Sequence, residues 1–344
     1  MRTIRLGRTG LEVTGLSFGS LPIQRLTMEE AERLLHRAYD EGINFYDTAR
    51  GYSDSEEKLG RAFCSVRKNI ILATKSHAKN GEALIKEIET SLKMLKTDYI
   101  DVMQLHNPGA VPVPGDGSGL YEAALDARRA GKIRFIGISN HKLGNARDAI
   151  ASGLYDTLQY PFSILSVQNE LELAGLCQEA DMGFIAMKAL CGGLLRDIPA
   201  AYAFIRCYPN VVPIWGIQKM EELEEFLALE KNPPAWDEHM EVAMAQEKAS
   251  LGKEFCRGCG YCLPCPAEIP IPTLARMILF LNRSPWRKHT TADAQEKMSR
   301  ADNCIHCGAC AHRCPYELDP EQLVADNYRA YKLFLDEKKA SGAI

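Results

Sequence analysis

Eight of the twelve cysteines fall into two tight runs near the C-terminus. One reads Cys256-x2-Cys259-x2-Cys262-x2-Cys265-Pro266, the other Cys304-x2-Cys307-x2-Cys310-x3-Cys314-Pro315. Thiolates at this spacing hold [4Fe–4S] clusters. In the pattern of the second run, three cysteines ligate one cluster and the fourth, before proline, ligates another. Zinc is the competing metal, but its four-ligand sites usually use two separated Cys-x2-Cys pairs. Two four-membered runs, each ending in Cys-Pro, predict two [4Fe–4S] clusters instead, although the first run has x2 rather than x3 before its last cysteine. Loaded clusters would each add a charge of about −2 to the formal −4 of the chain.

A second set of reactive residues lies upstream. Asp47, Tyr52, Lys75 and His106 all fall at or just beyond the ends of apolar runs. Singly each has a bland reading: a helix cap, a rim aromatic, a solvated tip, a satisfied polar residue. Together they make a unit. An ammonium beside a phenol lowers its pKa, a carboxylate orients the ammonium, and an imidazole positions a carbonyl oxygen. That is equipment for reducing a carbonyl by hydride transfer, with Tyr52 as proton donor.

Composition bounds the rest. The chain has 344 residues, 46% of them apolar and 25% charged, as expected for a globular protein of one large and one small domain. The slight negative charge gives no reason to expect nucleic acid or an anionic membrane as partner. Met1 to Gly7 contains no signal-like apolar run, and Ile278 to Leu281 is too short to span a bilayer. Cysteines at metal spacing without a signal predict a reducing, cytoplasmic setting.

Eight apolar runs begin at Leu16, Asn44, Ile70, Tyr99, Phe135, Thr157, Gly183 and Val211. They are rich in β-formers and bounded by turn residues, as strands are. Helical periodicity fills much of the space between them: Met28 to Glu41, Gly81 to Lys96, Leu120 to Ala130, Glu170 to Ala180 and Met220 to Leu229. In Gly81 to Lys96, residues Leu84, Ile85, Ile88, Leu92 and Leu95 are expected on the buried face. This alternation predicts an α/β fold, a (β/α)8 TIM barrel. A doubly wound open sheet is the alternative, weakened because no Gly-rich dinucleotide loop follows the first strands. The Gly- and Pro-rich connection Asn107 to Gly119 is expected on the catalytic face, as a substrate loop or a passive rim.

Beyond Leu229 the pattern changes. Residues 1–229 are read as the barrel, 230–253 as a linker with a helix from Trp236 to Lys253, and 254–344 as the cluster domain. A helix is expected over Pro272 to Asn282 and a final one from Pro320 to about Lys339. Cys64, Cys177, Cys191 and Cys207 lie at no ligand spacing and are expected to be ordinary buried thiols.

The barrel resembles the aldo-keto reductase family. Phe45-Tyr46-Asp47-Thr48-Ala49 with Tyr52 and Glu57-x2-Gly60 is similar to its first motif. Asp98 to His106 and Gly131 to Asn140 resemble its second and third. The likeness covers roughly residues 1–229. It implies a catalytic tetrad of Asp47, Tyr52, Lys75 and His106, and nicotinamide contacts at Ser139, Asn140 and Gln159. It also implies NADP or NAD bound across the barrel mouth. Met187, followed by Lys188, stands where the family commonly stacks a Tyr on the nicotinamide. After the eighth strand, Gln218, Lys219 and Glu222 occupy the nucleotide stretch. Lys219 suits a 2′-phosphate, Glu222 opposes one, and Phe226 replaces an adenine-binding Asn.

The interval between the cysteine runs resembles α-helical ferredoxin domains. That resemblance implies one cluster on Cys256, Cys259, Cys262 and Cys314 and the other on Cys304, Cys307, Cys310 and Cys265. Pairing within each run is the alternative. The leading expectation is therefore an iron–sulfur oxidoreductase that exchanges hydride between NAD(P)H and a small carbonyl or alcohol. A one-electron carrier such as ferredoxin is a candidate partner, and the clusters serve electron transfer or a structural role. Two alternatives stay open: a lyase or epimerase with a recycled nicotinamide, and a redox sensor or electron-transfer protein on a barrel scaffold.

Overall fold

A computed structural model describes residues 1–195, 197–251, 255–283 and 285–344, the side chains of Ser250 and Arg283 excepted. Contacts divide the chain into two compact units. One comprises Met1–Gly193 and Asp197–Met244, the other Leu194–Arg196 and Ala245–Ile344.

The first unit is a closed parallel barrel. A hairpin, β1 (Thr3–Arg5) and β2 (Glu12–Thr14), precedes eight barrel strands. These are β3 (Ser17–Gly19), β4 (Phe45–Asp47), β5 (Ile71–Ser76), β6 (Ile100–His106), β7 (Ile133–Ser139), β8 (Thr157–Pro161), β9 (Gly183–Met187) and β10 (Val211–Gly216). They pair in sequence order, and β10 closes on β3. The expected (β/α)8 barrel is thus the observed fold, and the open-sheet alternative is excluded.

Eight helices surround it: α1 (Met28–Asp40), α2 (Ser55–Phe63), α3 (Gly81–Met94), α4 (Leu120–Arg129), α5 (Leu143–Ser152), α6 (Gln168–Glu179), α7 (Ile198–Arg206) and α8 (Met220–Lys231). The cap of α1 shows why it starts where it does: Thr27 accepts from the Glu30 amide while Glu30 accepts from the Thr27 amide. Helices α2, α5 and α7 carry no expectation from periodicity. They are short, and α2 buries polar Ser55, Glu56 and Lys58, which masks the apolar stripe. Ile85, expected on the buried face of α3, is 45% exposed.

Alternation along the strands sorts the barrel interior into layers. The hairpin residues Ile4, Leu6, Leu11 and Val13 pack with Phe45, Ala73, Val102, Ile185 and Val212 into one apolar plug. Two residues further along the same strands stand Asp47, Lys75 and Gln104, which are buried polar residues. The C-terminal ends of the strands therefore carry the polar layer, above an apolar floor sealed by the hairpin.

Helix α9 (Glu238–Leu251) carries the chain from the first unit, which ends at Met244, into the second; it starts two residues later than expected. The expected helix end at Lys253 and the domain start at 254 lie outside the described residues. The helix expected over Pro272 to Asn282 is two: α10 (Ile271–Leu274) and α11 (Met277–Arg283), interrupted at Ala275 and Arg276. Then come α12 (Ala292–Ser299), α13 (Ala309–His312) and α14 (Pro320–Ala340). Leu274, Met277, Leu281, Met298, Val324, Tyr328, Tyr331 and Leu335 form the core of this unit. No helix among the described residues is long and apolar enough to cross a membrane.

Candidate functional site

Register brings the upstream reactive residues together. Lys75 pairs with Gln104 across β5 and β6, and His106 with Ser139 across β6 and β7. Lys75 Nζ donates to Asp47 Oδ1 at 2.5 Å and to the Thr48 carbonyl at 2.6 Å. Tyr52, in the loop after β4, places its ring 5.3 Å from Lys75 Nζ. The His106 ring meets it edge-on at 6.1 Å between centroids. A carboxylate, an ammonium, a phenol and an imidazole thus converge at the mouth of the barrel.

Burial sets their protonation. It pushes the Asp47 carboxyl up and the Lys75 ammonium down, and their mutual attraction works against both shifts. The Tyr52 phenol is pushed up, by burial first and by the Asp47 charge second. That is opposite to the lowering expected from a neighbouring ammonium, because burial and the Asp47 charge both oppose the phenolate. Tyr52 therefore holds its proton. His106 is held well below the usual imidazole value by burial and by the nearby Lys75, His77, Lys188 and Lys79. It is neutral at neutral pH, and its buried Nδ1 has no partner among the described residues.

Three residues outside the tetrad belong to this geometry. Gln104 Nε2 donates to Asp47 Oδ2 at 3.1 Å. Glu56 is buried and accepts from Thr74 Oγ1 at 2.6 Å, from Ser91 Oγ at 2.8 Å and from Arg50. Its charge favours the ammonium form of Lys75. His77 stacks on His106 at 3.7 Å between centroids, with its Nδ1 3.0 Å from the His106 carbonyl oxygen. The signal for Gln104 was its position two residues before His106 on one strand, hence on the same face. The acid next to Glu56, Glu57, is exposed. The glycine of that motif has a separate reason: a Cβ at Gly60 would overlap the Met94 carbonyl oxygen on α3.

The cofactor-contact candidates divide. Gln159 Nε2 donates to Asp47 Oδ2 at 3.0 Å, and its buried Oε1 has no partner among the described residues. That orphaned acceptor fits a carboxamide N–H. Ser139 Oγ accepts from the Asn107 amide at 3.2 Å. Asn140 is occupied by the rim: Nδ2 donates to Pro108 O, and Oδ1 accepts from the His141 and Lys142 amides. Met187 ends β9, half-buried, and Lys188 Nζ lies 3.3 Å from His141 Nδ1. Glu222 accepts from the Gln218 and Lys219 amides at 2.8 and 3.3 Å, and Lys219 is exposed. Phe226 is core, 4.6 Å from the Trp215 ring. The connection from Asn107 to Gly119 is pinned rather than loose. Asn145 Nδ2 donates to Gly109 O at 3.0 Å and Tyr155 donates to Pro112 O at 2.5 Å.

The matched stretches agree with this geometry. Residues 14–200 match the Aldo/keto reductase family. The chain belongs to the aldo/keto reductase family. Residues 255–319 match a 4Fe-4S dicluster domain. Aldo-keto reductase YhdN of Bacillus subtilis is 31% identical over 215 residues, 57% of this chain and 64% of the relative. A 6-dehydroglucose reductase of Novosphingobium aromaticivorans is 35% identical over 159 residues, 40% of this chain and 50% of the relative. L-galactose dehydrogenase of Arabidopsis thaliana is 29% identical over 211 residues, 56% of this chain and 66% of the relative. The chain thus spans between half and two thirds of these aldo/keto reductase relatives. An aldo-keto reductase structure from Klebsiella pneumoniae in complex with NADPH shares the fold. Its TM-score is 0.62 at 23% identity, over 72% of this chain and 94% of that one.

In the second unit the cysteines line two cavities. Cys256, Cys259, Cys262 and Cys314 line one. Cys265, Cys304, Cys307 and Cys310, with Cys262 at the boundary, line the other. Cys314 thus joins the first run and Cys265 the second. Burial, then the neighbouring Cys256 and Cys259, push the Cys262 thiol up to about 12. A metal centre relieves such crowding by holding the sulfurs as thiolates, so the donor set fits two [4Fe–4S] clusters. Of the other four cysteines, Cys177 and Cys191 are buried as expected, but Cys64 and Cys207 are exposed. Cys64 follows the last turn of α2 and Cys207 that of α7, where the chain turns away from the core.

Proposed function

We propose that the chain is a cluster-bearing oxidoreductase that exchanges hydride between NAD(P)H and a small carbonyl or alcohol. The observation that supports it is the buried Asp47–Lys75 pair beneath a protonated Tyr52 and a neutral His106 at the C-terminal mouth of the barrel. A nicotinamide nucleotide, when bound, supplies or accepts the hydride. Gln159 would meet its carboxamide through the orphaned Oε1, with Ser139 and Asn140 beside it and Met187 as a packing surface. Glu222 already takes the Gln218 and Lys219 amides, which favours NADH over NADPH. Tyr52 gives its proton to the developing alkoxide, the Lys75 ammonium held by Asp47 offsets the phenolate charge, and His106 orients the carbonyl oxygen.

The cluster assignment is Cys256, Cys259, Cys262 and Cys314 for one and Cys304, Cys307, Cys310 and Cys265 for the other. Such clusters supply one-electron transfer. Residues 1–229 are assigned to the barrel and 254–344 to the cluster domain, in a reducing cytoplasm, with a one-electron carrier such as ferredoxin as redox partner. Two of the relatives act on hexoses by name, so hexose carbonyls and alcohols are the first substrates to test.

The experiment is anaerobic purification with iron and sulfide quantitation, followed by NADH and NADPH titration and carbonyl reduction on the same sample. Tyr52→Phe is expected to lower reduction by about 10²- to 10⁴-fold with nucleotide binding unchanged. An undiminished Tyr52→Phe rate overturns the mechanism.

A further inference from the structure

We propose that Arg276 is the counter-ion of the cluster on Cys256, Cys259, Cys262 and Cys314, and that it raises that cluster's reduction potential above that of the second cluster. The inference rests on the reading that the eight cysteines hold two [4Fe–4S] clusters.

Arg276 sits at the break between α10 and α11. Its Nε donates to Pro272 O at 2.7 Å, and its guanidinium carbon lies 5.0 Å from the Phe280 ring centroid. These contacts aim the group at the first cysteine run. There it presses on Gly258, between Cys256 and Cys259. A Cβ at Gly258 would overlap the guanidinium carbon and Nη1, and the residue has a φ of +74°, which favours glycine. The guanidinium thus occupies the space that a side chain in the ligand loop would otherwise take. Burial lowers the Arg276 pKa, and the charges of Cys256 and Cys259 work against that shift. A guanidinium keeps its proton in proteins, so the loop faces a fixed positive charge.

A second cation reinforces the first. Arg257, adjacent to Cys256, is buried with its guanidinium 3.9 Å over the Tyr316 ring, two residues past Cys314. The other cavity differs in both sign and exposure. Asp302, Glu321, Arg329 and Lys332 line it with mixed charge, Cys307 is exposed, and exposed His306 pairs with Glu321 at 2.7 Å. Exposed charges of both signs are screened and largely offset one another. A cluster gains one negative charge on reduction, and a fixed cation in low-dielectric surroundings stabilises that charge. The first cluster is therefore the easier to reduce, and an electron entering at the exposed second cluster runs downhill to the first.

The test is an EPR-monitored redox titration of the anaerobically prepared full chain, with iron counted in every sample. The wild type is expected to show two waves. Arg276→Gln should move the higher wave to more negative potential by about 59 mV, a tenfold change in a one-electron equilibrium, while Arg276→Lys keeps most of the wild-type value. Unshifted waves in Arg276→Gln with full iron content overturn the proposal. If Arg276→Gln loses one cluster and Arg276→Lys retains both, the need for the charge is supported. If both variants lose it equally, the residue is a structural support and the proposal fails. A wild-type chain without iron overturns the cluster reading itself, and is seen before any variant is compared.

Discussion

Gln104 Nε2 donates to Asp47 Oδ2 at 3.1 Å from a position two residues before His106 on the same strand. Gly137 makes that reach available, because a Cβ there would come within 2.9 Å of Gln104 Cγ. With Gln159 donating to the same oxygen and Lys75 to the other, the carboxylate under the site is held by three side chains from three strands. Loss of one donor to a buried carboxylate costs about 1–3 kcal/mol. Gln104→Leu is therefore expected to lose about that much stability in urea unfolding, with lower carbonyl reduction. Unchanged values for both would show that the Asp47 geometry does not depend on Gln104.

The raised Tyr52 phenol makes a statement about pH. A proton donor stays competent below its own pKa, and here that pKa lies above the usual tyrosine value of about 10. Carbonyl reduction should keep its maximal turnover from neutrality up to pH of about 10. An alkaline loss centred near pH 8 would mean that Lys75 lowers the phenol after all.

His106 makes the opposite statement, on the acid side. Its folded-state value lies well below the unfolded imidazole value of about 6.5. The unfolded chain therefore binds the extra proton first. The stability carried by the neutral ring is present above pH 6.5 and is lost as the pH falls toward the folded value. Unfolding free energy measured between pH 7 and 5 should fall, and His106→Gln should flatten part of that slope. An identical slope in the variant would assign it to other groups.

Glu222 accepts from the Gln218 and Lys219 amides. A carboxylate at that place repels a 2′-phosphate. Glu222→Gln is expected to raise NADPH affinity relative to NADH by about tenfold, about 1.4 kcal/mol, read by fluorescence titration of both nucleotides. An unchanged ratio would place the adenosine ribose elsewhere.

Cluster pairing can be read from one triple variant. With the pairing proposed here, replacing Cys265, Cys304 and Cys307 by Ser damages a single cluster, so about four irons per chain should remain. If each run held its own cluster, the same variant would damage both and leave almost none.

How much was legible follows from the range of the interactions involved. Strand positions were legible because each apolar run is local and bounded by turn residues; all eight lie within a few residues of where the pattern placed them. The cysteine runs were legible because ligand spacing within a loop is set by the chain itself. Glu56 was not, since only the docking of α2 on α3 turns it inward and leaves Glu57 in water. The split between α10 and α11 was hidden too, because the apolar stripe runs on in sequence across Ala275 and Arg276, where the helix is interrupted in space.

Residue types and spacing alone therefore determined the kind of fold, the cluster chemistry and the order of the four reactive groups along the strands. Tertiary structure decided which groups share a charge. Barrel closure sets Gln104 and Gln159, 57 and 112 residues from Asp47, on one carboxylate. The turn between α10 and α11 aims Arg276 at Gly258. Burial, a property of the assembled core, reversed the expected direction for Tyr52. Periodicity encodes which face of an element is apolar, whereas contacts between distant elements depend on how those faces close on one another.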